Sequence, residues 1–262
     1  MIAMITGASS GIGEALAKNL ASRGFNLILV ARRADRLKKI KEKLTSMFDI
    51  KVKIICADLS IAAECKLLYE KVRDMKIDIL INNAGFGLFG KFEKTDLDRE
   101  MEMIDVNIKA VHILTKLFLR DFSARNYGYI LNVASVAGFM AGPLMAAYYA
   151  SKNYVLQLTR AISQELKQNN INVYVGALCP GPVNTEFNAV AGSEFAVKGA
   201  TASEVADYAL NEMFKGKNVI IPKAEIKALV LAVKMLPSSL ALWGTYFVQK
   251  ARKGDPDSGY KA

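Results

Sequence analysis

The stretch that decides the fold is TGASSGIG, residues 6–13, which directly follows the short apolar run MIAMI at the start of the chain. A strand, a glycine-rich turn and a helix in this order open a βαβ unit, and such a turn favours a bound phosphate. Gly7 permits the tight turn, Gly11 lets the backbone approach a diphosphate, and Gly13 allows close packing of the helix. The helix N-terminus adds free N–H groups and a partial positive charge.

Short apolar runs recur along the chain and alternate with longer helical patterns. Strands are predicted at residues 1–5, 26–30, 52–57, 78–82, 128–135, 172–178 and 218–222, and helices from about Glu14, over 97–124 and over about 145–169. Strands that are apolar along their whole length suit a sheet covered on both faces. The sequence therefore predicts an α/β fold, a Rossmann-like doubly wound parallel sheet of about seven strands with helices on both faces.

The composition excludes several classes of protein. The chain has 262 residues, 52% of them hydrophobic, which is enough for a large core without covalent staples. Its three cysteines are scattered and form no CxxC pair, so we expect neither a disulfide framework nor a metal site, and a reduced, cytoplasmic setting. The N-terminus lacks the charged region of a signal peptide, and no run of apolar residues is long enough to span a membrane.

The formal net charge of +10 is unevenly distributed. Residues 32–43 carry seven Lys or Arg, and residues 215–262 carry nine against three acidic residues. Neither region shows the interleaved aromatic residues of a single-strand binder or a zinc-finger pattern, so no nucleic-acid partner is expected. A phosphorylated ligand or an anionic membrane surface remains compatible with the charge.

The stretch AAYYASKNY, residues 146–154, places two adjacent tyrosines just before a lysine. A phenol can donate a proton to a developing alkoxide if a neighbouring ammonium lowers its pKa. On a helix Lys152 shares a face with Tyr148 at i+4 and lies near Tyr149 at i+3. Helical spacing alone therefore leaves both tyrosines open as the proton donor.

Several motifs follow one another in a fixed order: the glycine turn, NNAG at 82–85, Asn107 in DVNIKA, Ser135, a YxxxK pattern and PGPVNT at 180–185. In this set and order the chain resembles the short-chain dehydrogenase/reductase family, from about Ile2 to Ile221. The resemblance implies an oxidoreductase that transfers a hydride between NADP(H) and a small-molecule carbonyl or secondary alcohol. It also implies a homodimer or homotetramer.

The resemblance selects one tyrosine. In the family a serine precedes the catalytic tyrosine by thirteen positions, and Ser135 stands thirteen positions before Tyr148. By this resemblance Tyr148 is the general acid in reduction and the base in oxidation. Lys152 lowers its pKa and binds the nicotinamide ribose, Ser135 hydrogen-bonds the substrate oxygen, and Asn107 holds a water that links Lys152 to solvent. Tyr149 is then assigned to packing.

The cofactor-binding residues are also carried over from the resemblance. Arg32 and Arg33 follow the second strand, where an NAD-binding site usually has an acid, and guanidinium groups suit the 2′-phosphate of NADP. Asp58 and Leu59 resemble the pair that lines the adenine pocket, and PGPVNT the segment that contacts the nicotinamide and diphosphate. The implied set is Gly7, Ser9, Ser10, Gly11, Ile12, Gly13, Arg32, Arg33, Asp58, Leu59, Asn82, Ala84, Gly85, Tyr148, Lys152, Pro180, Gly181, Val183 and Thr185.

Four further side chains that could mark a site are interpreted as structural. His112 has no partner at metal-ligand spacing, and no local feature makes Cys179 a thiolate. Tyr154, like Tyr149, is assigned to packing. The sequence thus offers no metal centre and no cysteine nucleophile as an alternative to the tyrosine.

Substrate contacts are expected from three loops, at 86–92, 137–145 and 188–199, the last a candidate lid. Their large side chains, Phe86, Leu88, Phe89, Phe139, Met140, Met145, Phe187 and Phe195, favour an apolar carbonyl compound.

We divide the chain into a catalytic NADP-binding domain, 1–222, and an apolar and basic C-terminal extension, 223–262, packed near the substrate side. In the extension Pro237 stops one helix and Ser238 can cap the next. Trp243, together with basic residues that include Arg252 and Lys253, resembles an interfacial helix.

Two alternatives to a cytoplasmic carbonyl reductase follow: a lipid or acyl-chain ketoreductase at a membrane surface, and a non-catalytic NADP-binding scaffold.

Overall fold

A seven-stranded parallel sheet forms the centre of the fold, seen in a computed structural model that describes residues 1–192, 199–251 and 256–257. The strands are β1 (Ile2–Thr6), β2 (Asn26–Ala31), β3 (Val52–Cys56), β4 (Ile79–Asn82), β5 (Tyr129–Val133), β6 (Tyr174–Leu178), β7 (Val183–Asn184), β8 (Ala200–Thr201) and β9 (Val219–Ile220). The sheet order is β3-β2-β1-β4-β5-β6-β9, while β7 and β8 pair separately. The predicted Rossmann-like sheet is confirmed.

The strands are mainly apolar because both faces of the sheet are covered; the exceptions include Lys53 in the edge strand β3 and the buried Asn132 in β5. In β1, Ala3 and Ile5 belong to one buried cluster and Met4 to the other, and all three side chains are fully buried. Successive side chains of a strand point to opposite faces, so this alternation divides the core into two layers. Burial of each large apolar side chain contributes about 1.5–3 kcal/mol, which makes this double burial the main support of the sheet.

Helices cover both faces of the sheet. They are α1 (Gly11–Ser22), α2 (Ala34–Met47), α3 (Ala62–Glu70), α4 (Leu97–Ile104), α5 (Val111–Ala124), α6 (Ala146–Gln168), α7 (Phe187–Val190), α8 (Ala202–Phe214), α9 (Ala224–Met235) and α10 (Ser238–Lys250). Helix α1 begins at Gly11, with Ser10 as its N-cap, and not at Glu14 as expected. Gly11 and Gly13, the last two glycines of the turn, therefore belong to the first turn of α1, and their N–H groups have no partner within the helix.

The helical pattern over 97–124 is interrupted. Between α4 and α5 the chain forms a π-helical turn at Asp105–Ala110, and Asn107 lies within it. The backbone continues in nearly the same direction, so the apolar periodicity persists and the sequence predicted one helix. π-Helical turns of this kind are frequent at functional sites.

The C-terminal extension forms two helices, α9 and α10, separated at Leu236 and Pro237. The expected cap is wrong in detail: Pro237 occupies the N-cap position, Ser238 is the first helical residue, and no side chain caps the helix. The fixed φ of proline, here −52°, makes it compatible with a helix start without a capping side chain.

Three sequence predictions fall on residues that the structure does not describe. Phe195 and half of the candidate lid, residues 193–198, as well as Arg252 and Lys253, lie outside the described ranges. Within those ranges, no helix is both long and apolar enough to cross a membrane.

The order of the strands creates a crevice. Strand β1 is paired with β2 on one side and β4 on the other, so the connections leave in opposite directions at this point. In open α/β sheets ligands bind at such a point, outside the carboxyl ends of the strands.

Candidate active site

A cavity of about 1170 Å³ opens at the carboxyl ends of the strands. It is lined by the glycine turn, by the segments after β2 to β6, and by α9 and α10. Single-ligand pockets usually measure about 300–1,000 Å³, so this one has room for a cofactor and a substrate together.

Most of the predicted site residues lie on the wall of this cavity. Those that line the cavity are Gly7, Ser9, Ser10, Gly11, Ile12, Arg32, Arg33, Asp58, Leu59, Ala84, Gly85, Ser135, Tyr148, Lys152, Pro180, Gly181, Val183 and Thr185. Gly13, Asn82 and Asn107 are not on the wall but stand behind it. Of the apolar residues predicted to meet substrate, Phe86, Met140 and Phe187 line the cavity.

The glycine turn leaves its backbone bare toward the cavity. Gly7 has a φ of +63°, and a Cβ there would lie 2.7 Å from the Cα of Ala84. A Cβ on Gly13 would lie 2.3 Å from the carbonyl oxygen of Gly7, so the helix packs directly against the turn. The open N-terminus of α1 and this bare backbone suit a diphosphate, which is the fit expected for a dinucleotide.

Two neighbouring asparagines at the end of β4 have different roles. Asn83 lines the cavity, and its Nδ2 donates to the carbonyl oxygens of Thr6 and Gly7 at 2.9 and 3.1 Å. Asn82 is buried, and its Nδ2 donates to Asn132 Oδ1 at 2.9 Å. Asn83 therefore fixes the glycine turn from within the site, and the side chain of Asn82 joins adjacent strands beneath it.

Tyr148 and Lys152 lie one turn apart on α6, and both are buried in the cavity wall. The Nζ atom of Lys152 donates to the carbonyl oxygen of Val133 at 2.9 Å and lies 5.9 Å from the ring centre of Tyr148. Burial disfavours the ammonium and lowers the pKa of Lys152 to about 8. The lysine is thus held beside the phenol by the backbone of β5.

Ser135 follows β5 and stands at the start of a 3₁₀ turn, Val136–Phe139. Its Oγ accepts a hydrogen bond from the N–H of Ala137 at 3.1 Å and donates to the carbonyl oxygen of Pro180 at 3.5 Å. The hydroxyl is therefore oriented by backbone groups on both sides while it faces the same cavity as Tyr148.

Asn107 is fully buried behind the cavity wall. Its Nδ2 donates to Phe86 O at 2.9 Å and to Ser151 Oγ at 3.0 Å, and its Oδ1 accepts from Phe86 N at 3.1 Å. A Cβ on Gly85 would lie 2.7 Å from Asn107 Oδ1 and 3.3 Å from Lys152 Nζ. The side chain therefore braces the loop after β4 against α6, and its predicted water contact stays a prediction.

The second tyrosine of the pair is anchored elsewhere. Tyr149 is buried, and its hydroxyl accepts a hydrogen bond from Nε2 of Gln249 on α10. Tyr154 was assigned to packing, but it is 38% exposed and its hydroxyl lies 2.7 Å from Nδ1 of His112. Tyr154 therefore packs at the surface and not in the core, with its ring centre 6.3 Å from that of His112.

Arginine side chains border the cavity beyond the glycine turn. Arg33 Nη2 donates to Ser9 Oγ at 3.0 Å and Ser10 Oγ at 2.8 Å. Its Nη1 donates to a carboxylate oxygen of Glu186 at 2.9 Å, and Arg36 bonds the other oxygen at 2.5 Å. These bonds from Arg36 and Arg33 lower the pKa of Glu186. Glu186, which follows Thr185, thus reaches across the cleft to Arg33, one of the two arginines expected at the 2′-phosphate, and to Arg36, whereas Arg32 pairs with Glu102 at 2.8 Å.

Cys179, the cysteine nearest the site in the sequence, carries no reactive thiolate. Cys179 is fully buried, and burial raises the pKa of its thiol to about 12. Across the described ranges, no group of three or more His, Cys, Asp or Glu is placed to hold a metal ion.

The sequence of residues 1–194 matches the family model for short chain dehydrogenase. The chain belongs to the short-chain dehydrogenase family. An uncharacterized oxidoreductase of Staphylococcus epidermidis is 31% identical over 86% of this chain and 96% of its own length. A 7beta-hydroxysteroid dehydrogenase of Mediterraneibacter gnavus is 27% identical over 83% of this chain and 84% of its own length.

Solved structures of short-chain dehydrogenases agree. The Sphingobium yanoikuyae enzyme in complex with NADPH has a TM-score of 0.82 at 32% identity, over 89% of this chain and 92% of that chain. A Burkholderia phymatum member in complex with NAD has a TM-score of 0.80 at 25% identity, over 88% and 91%. A bulky-bulky ketone specific alcohol dehydrogenase of Comamonas testosteroni has a TM-score of 0.77 at 29% identity, over 91% and 95%. This chain is therefore an oxidoreductase that uses a nicotinamide dinucleotide and a small-molecule substrate.

Three features of the site were missed in the sequence. Asn83 belongs to the NNAG motif and faces the cavity, but it is not among the site residues that the resemblance implies. Glu186 follows the PGPVNT motif directly, yet its partners Arg33 and Arg36 are about 150 positions away and nothing local links them. The individual wall residues of α9 and α10 belong to no motif, because apolar contact requires volume and not a particular residue type.

Proposed function

We propose that this short-chain dehydrogenase is an NADP(H)-dependent reductase of a bulky apolar ketone, and that it can run in reverse on the alcohol. The observation that carries the proposal is the convergence of Ser135, Tyr148 and Lys152 on one cavity with the glycine turn. NADP in place of NAD is supported by Arg32 and Arg33 at the cofactor edge and by the NADPH-bound relative. The NAD-bound relative makes cofactor choice the first point to test.

The chain's own residues supply binding and proton transfer. When bound, NADPH supplies the hydride that reduces the carbonyl carbon. Tyr148 donates its phenolic proton to the carbonyl oxygen, so that hydride and proton together give the alcohol. Lys152 beside it stabilises the resulting phenolate, and Ser135 donates a hydrogen bond to the substrate oxygen as negative charge develops.

The substrate side of the cavity supports an apolar compound. Phe86, Met140 and Phe187 face it from the main domain, and α9 and α10 contribute further apolar side chains such as Leu229 and Leu240. Large apolar cavities with few polar groups select by shape and size. The names of two relatives, a 7beta-hydroxysteroid dehydrogenase and a bulky-bulky ketone specific alcohol dehydrogenase, point to the same class of substrate.

A panel of ketones of increasing bulk, followed by NADPH absorbance and repeated with NADH, tests the proposal. Tyr148→Phe should lower kcat by about 10²- to 10⁴-fold while NADPH binding stays nearly intact, because only the proton donor is lost. Tyr149→Phe is the matched control and should keep kcat within the same order of magnitude as the wild type. Normal turnover by Tyr148→Phe would rule out the proposed mechanism.

The same panel tests the alternative of a non-catalytic NADP-binding scaffold. That reading requires tight NADPH binding without turnover of any ketone, aldehyde or quinone. The intact set of Ser135, Tyr148 and Lys152 favours the enzyme. A homodimer or homotetramer stays a prediction, to be checked by the mass of the assembly in solution.

A further inference from the structure

The outer surface of the C-terminal helix pair is apolar. Of the twenty exposed large hydrophobic side chains among the described residues, ten lie within residues 229–248. They are Leu229, Leu231, Met235, Leu236, Leu240, Leu242, Trp243, Tyr246, Phe247 and Val248. Contiguous exposed patches of this kind mark interaction surfaces, whereas single exposed apolar residues do not.

Helix α10 has two apolar faces. Ala241, Gly244, Thr245 and Val248 line the cavity on its inner face. The helical period places Leu242, Trp243, Tyr246 and Phe247 on the outer face. There Trp243 is 65% exposed, and its ring centre lies 4.6 Å from that of Phe247. A surface helix of a soluble protein is usually apolar only on the face that packs against the core. The apolar outer face of α10 therefore requires a separate explanation.

Exposed lysines lie on these two helices and at the residue that precedes α9. Lys223, Lys227, Lys234 and Lys250 are all exposed, and Glu225 is the sole acidic residue in 223–251. Aromatic residues beside lysines on an apolar helix are the composition that the headgroup region of a membrane selects. A two-fold contact between copies through this face would instead bring two sets of these lysines together, with like-charge repulsion. The charge therefore favours an anionic bilayer over a second copy of the chain.

The cavity reaches the same surface. Leu229, Leu236, Leu240 and Val248 line the cavity and are also exposed, so they form its mouth on the apolar face. A compound dissolved in a bilayer could pass this mouth without crossing water.

We propose that α9 and α10 dock on an anionic lipid bilayer and admit a bilayer-dissolved apolar ketone to the active site. The substrate part of this inference rests on the proposed function, but docking itself does not. The helices lie on the surface of the bilayer, with the lysines toward the headgroups and the aromatic side chains among the acyl chains.

Flotation of the full-length protein with lipid vesicles tests docking. The wild type should float with vesicles of phosphatidylcholine mixed equally with phosphatidylglycerol and much less with pure phosphatidylcholine. The double variant Trp243→Glu/Phe247→Glu should stay in the soluble fraction, since these side chains do not line the cavity. Leu67→Glu, a residue 51% exposed on α3, is the matched control and should float like the wild type. Lys227→Ala should weaken the partition coefficient about fivefold.

Activity separates the two parts of the inference. With a water-soluble ketone and no vesicles, the double variant should match the wild type, which would show that the fold and the chemistry are intact. With a ketone dissolved in anionic vesicles, the double variant should reduce the ketone more slowly than the wild type, by the same factor by which its partition onto the vesicles falls. Flotation without ketone reduction would overturn the proposed function but not docking.

Two outcomes would overturn docking. One is failure of the wild type to float with anionic vesicles, or flotation of the double variant to the same extent. The other is a change in the mass of the assembly caused by Trp243→Glu/Phe247→Glu while vesicle binding is unaffected, which would assign the face to a second copy of the chain.

Discussion

The two walls of the cavity are built differently. On the cofactor wall, backbone and side chains are fixed by directed hydrogen bonds, such as those of Asn83 to the glycine turn and of Arg33 to Ser9 and Ser10. On the C-terminal wall, Gln249 bonds Tyr149, and the inner faces of α9 and α10 are otherwise mainly apolar. Directed bonds require particular residue types at particular places, whereas apolar contact requires volume. One wall is therefore rich in motifs and the other has none.

Glycine substitutions on the two walls give the sharpest contrast. Gly13→Ala places a Cβ 2.3 Å from a backbone oxygen, whereas a Cβ on Gly244 of α10 meets nothing within 4 Å. We expect Gly13→Ala to lower the free energy of unfolding by about 3 kcal/mol and to abolish tight NADPH binding. Gly244→Ala should raise the free energy of unfolding by up to about 1 kcal/mol. Urea denaturation and NADPH titration measure both, and equal losses would remove the contrast.

Lys152 is buried in the cavity wall, where its positive charge destabilises the folded state. Its folded pKa of about 8 lies below the ordinary value of 10.5, so the unfolded chain binds the proton more tightly between these values. Stability therefore rises with pH from about 8 to 10.5, and the full penalty is present below pH 8.

Lys152→Met should consequently stabilise the fold by about 2 kcal/mol at pH 7, since roughly 3 kcal/mol of desolvation is relieved and about 1 is lost with the bond to Val133. The gain should shrink as the pH rises toward 10.5. Thermal unfolding across this pH range tests it, with exposed Lys18→Met as the control. A gain that did not depend on pH would contradict the assignment to charge burial.

The ion pair between Arg33 and Glu186 predicts that substitutions of its two members change the affinity for NADPH in opposite directions. Arg33→Ala should weaken NADPH binding about tenfold and leave NADH nearly unchanged, because a charge-assisted bond to the 2′-phosphate is lost. Glu186→Gln should tighten NADPH binding a few-fold, since the carboxylate competes with that phosphate for Arg33 and Arg36. Fluorescence titration of both dinucleotides measures this, with Glu165→Gln as an exposed control. Weaker NADPH binding by Glu186→Gln would show that the carboxylate supports the cofactor site.

The smallest effect is expected on the C-terminal wall. Leu240→Ala removes apolar volume at the mouth of the cavity, where the side chain is already 55% exposed. The KM for a bulky ketone should rise about fivefold, with little change for a small ketone or for NADPH. Steady-state kinetics with two ketones of different size decides it, and an equal rise for both would place Leu240 outside the substrate path.

The sheet was predictable because most of its strands contain a short apolar run, such as Leu27 to Val30, and a motif follows most of these runs. The π-helical turn around Asn107 was not, since it keeps the apolar periodicity of the helices on either side. The position of Arg33 after the second strand was enough to predict a positive charge beside the cofactor. The sequence did not predict that Glu186 pairs with it. Such a partner depends on how two distant loops meet in the folded chain.

The adjacency of Tyr148 and Tyr149 has a consequence for how the enzyme senses its ligand. The side chain of Tyr148 lines the cavity and that of Tyr149 is bonded to Gln249 on the C-terminal wall, so a single peptide unit separates the proposed proton donor from that wall. Under the proposed function, we expect a ketone bulky enough to displace α10 to shift α6, the helix that carries the proposed acid, through this bond. Turnover, and not affinity alone, should then vary along a series of ketones of graded size. Gln249→Ala should flatten that gradient in kcat.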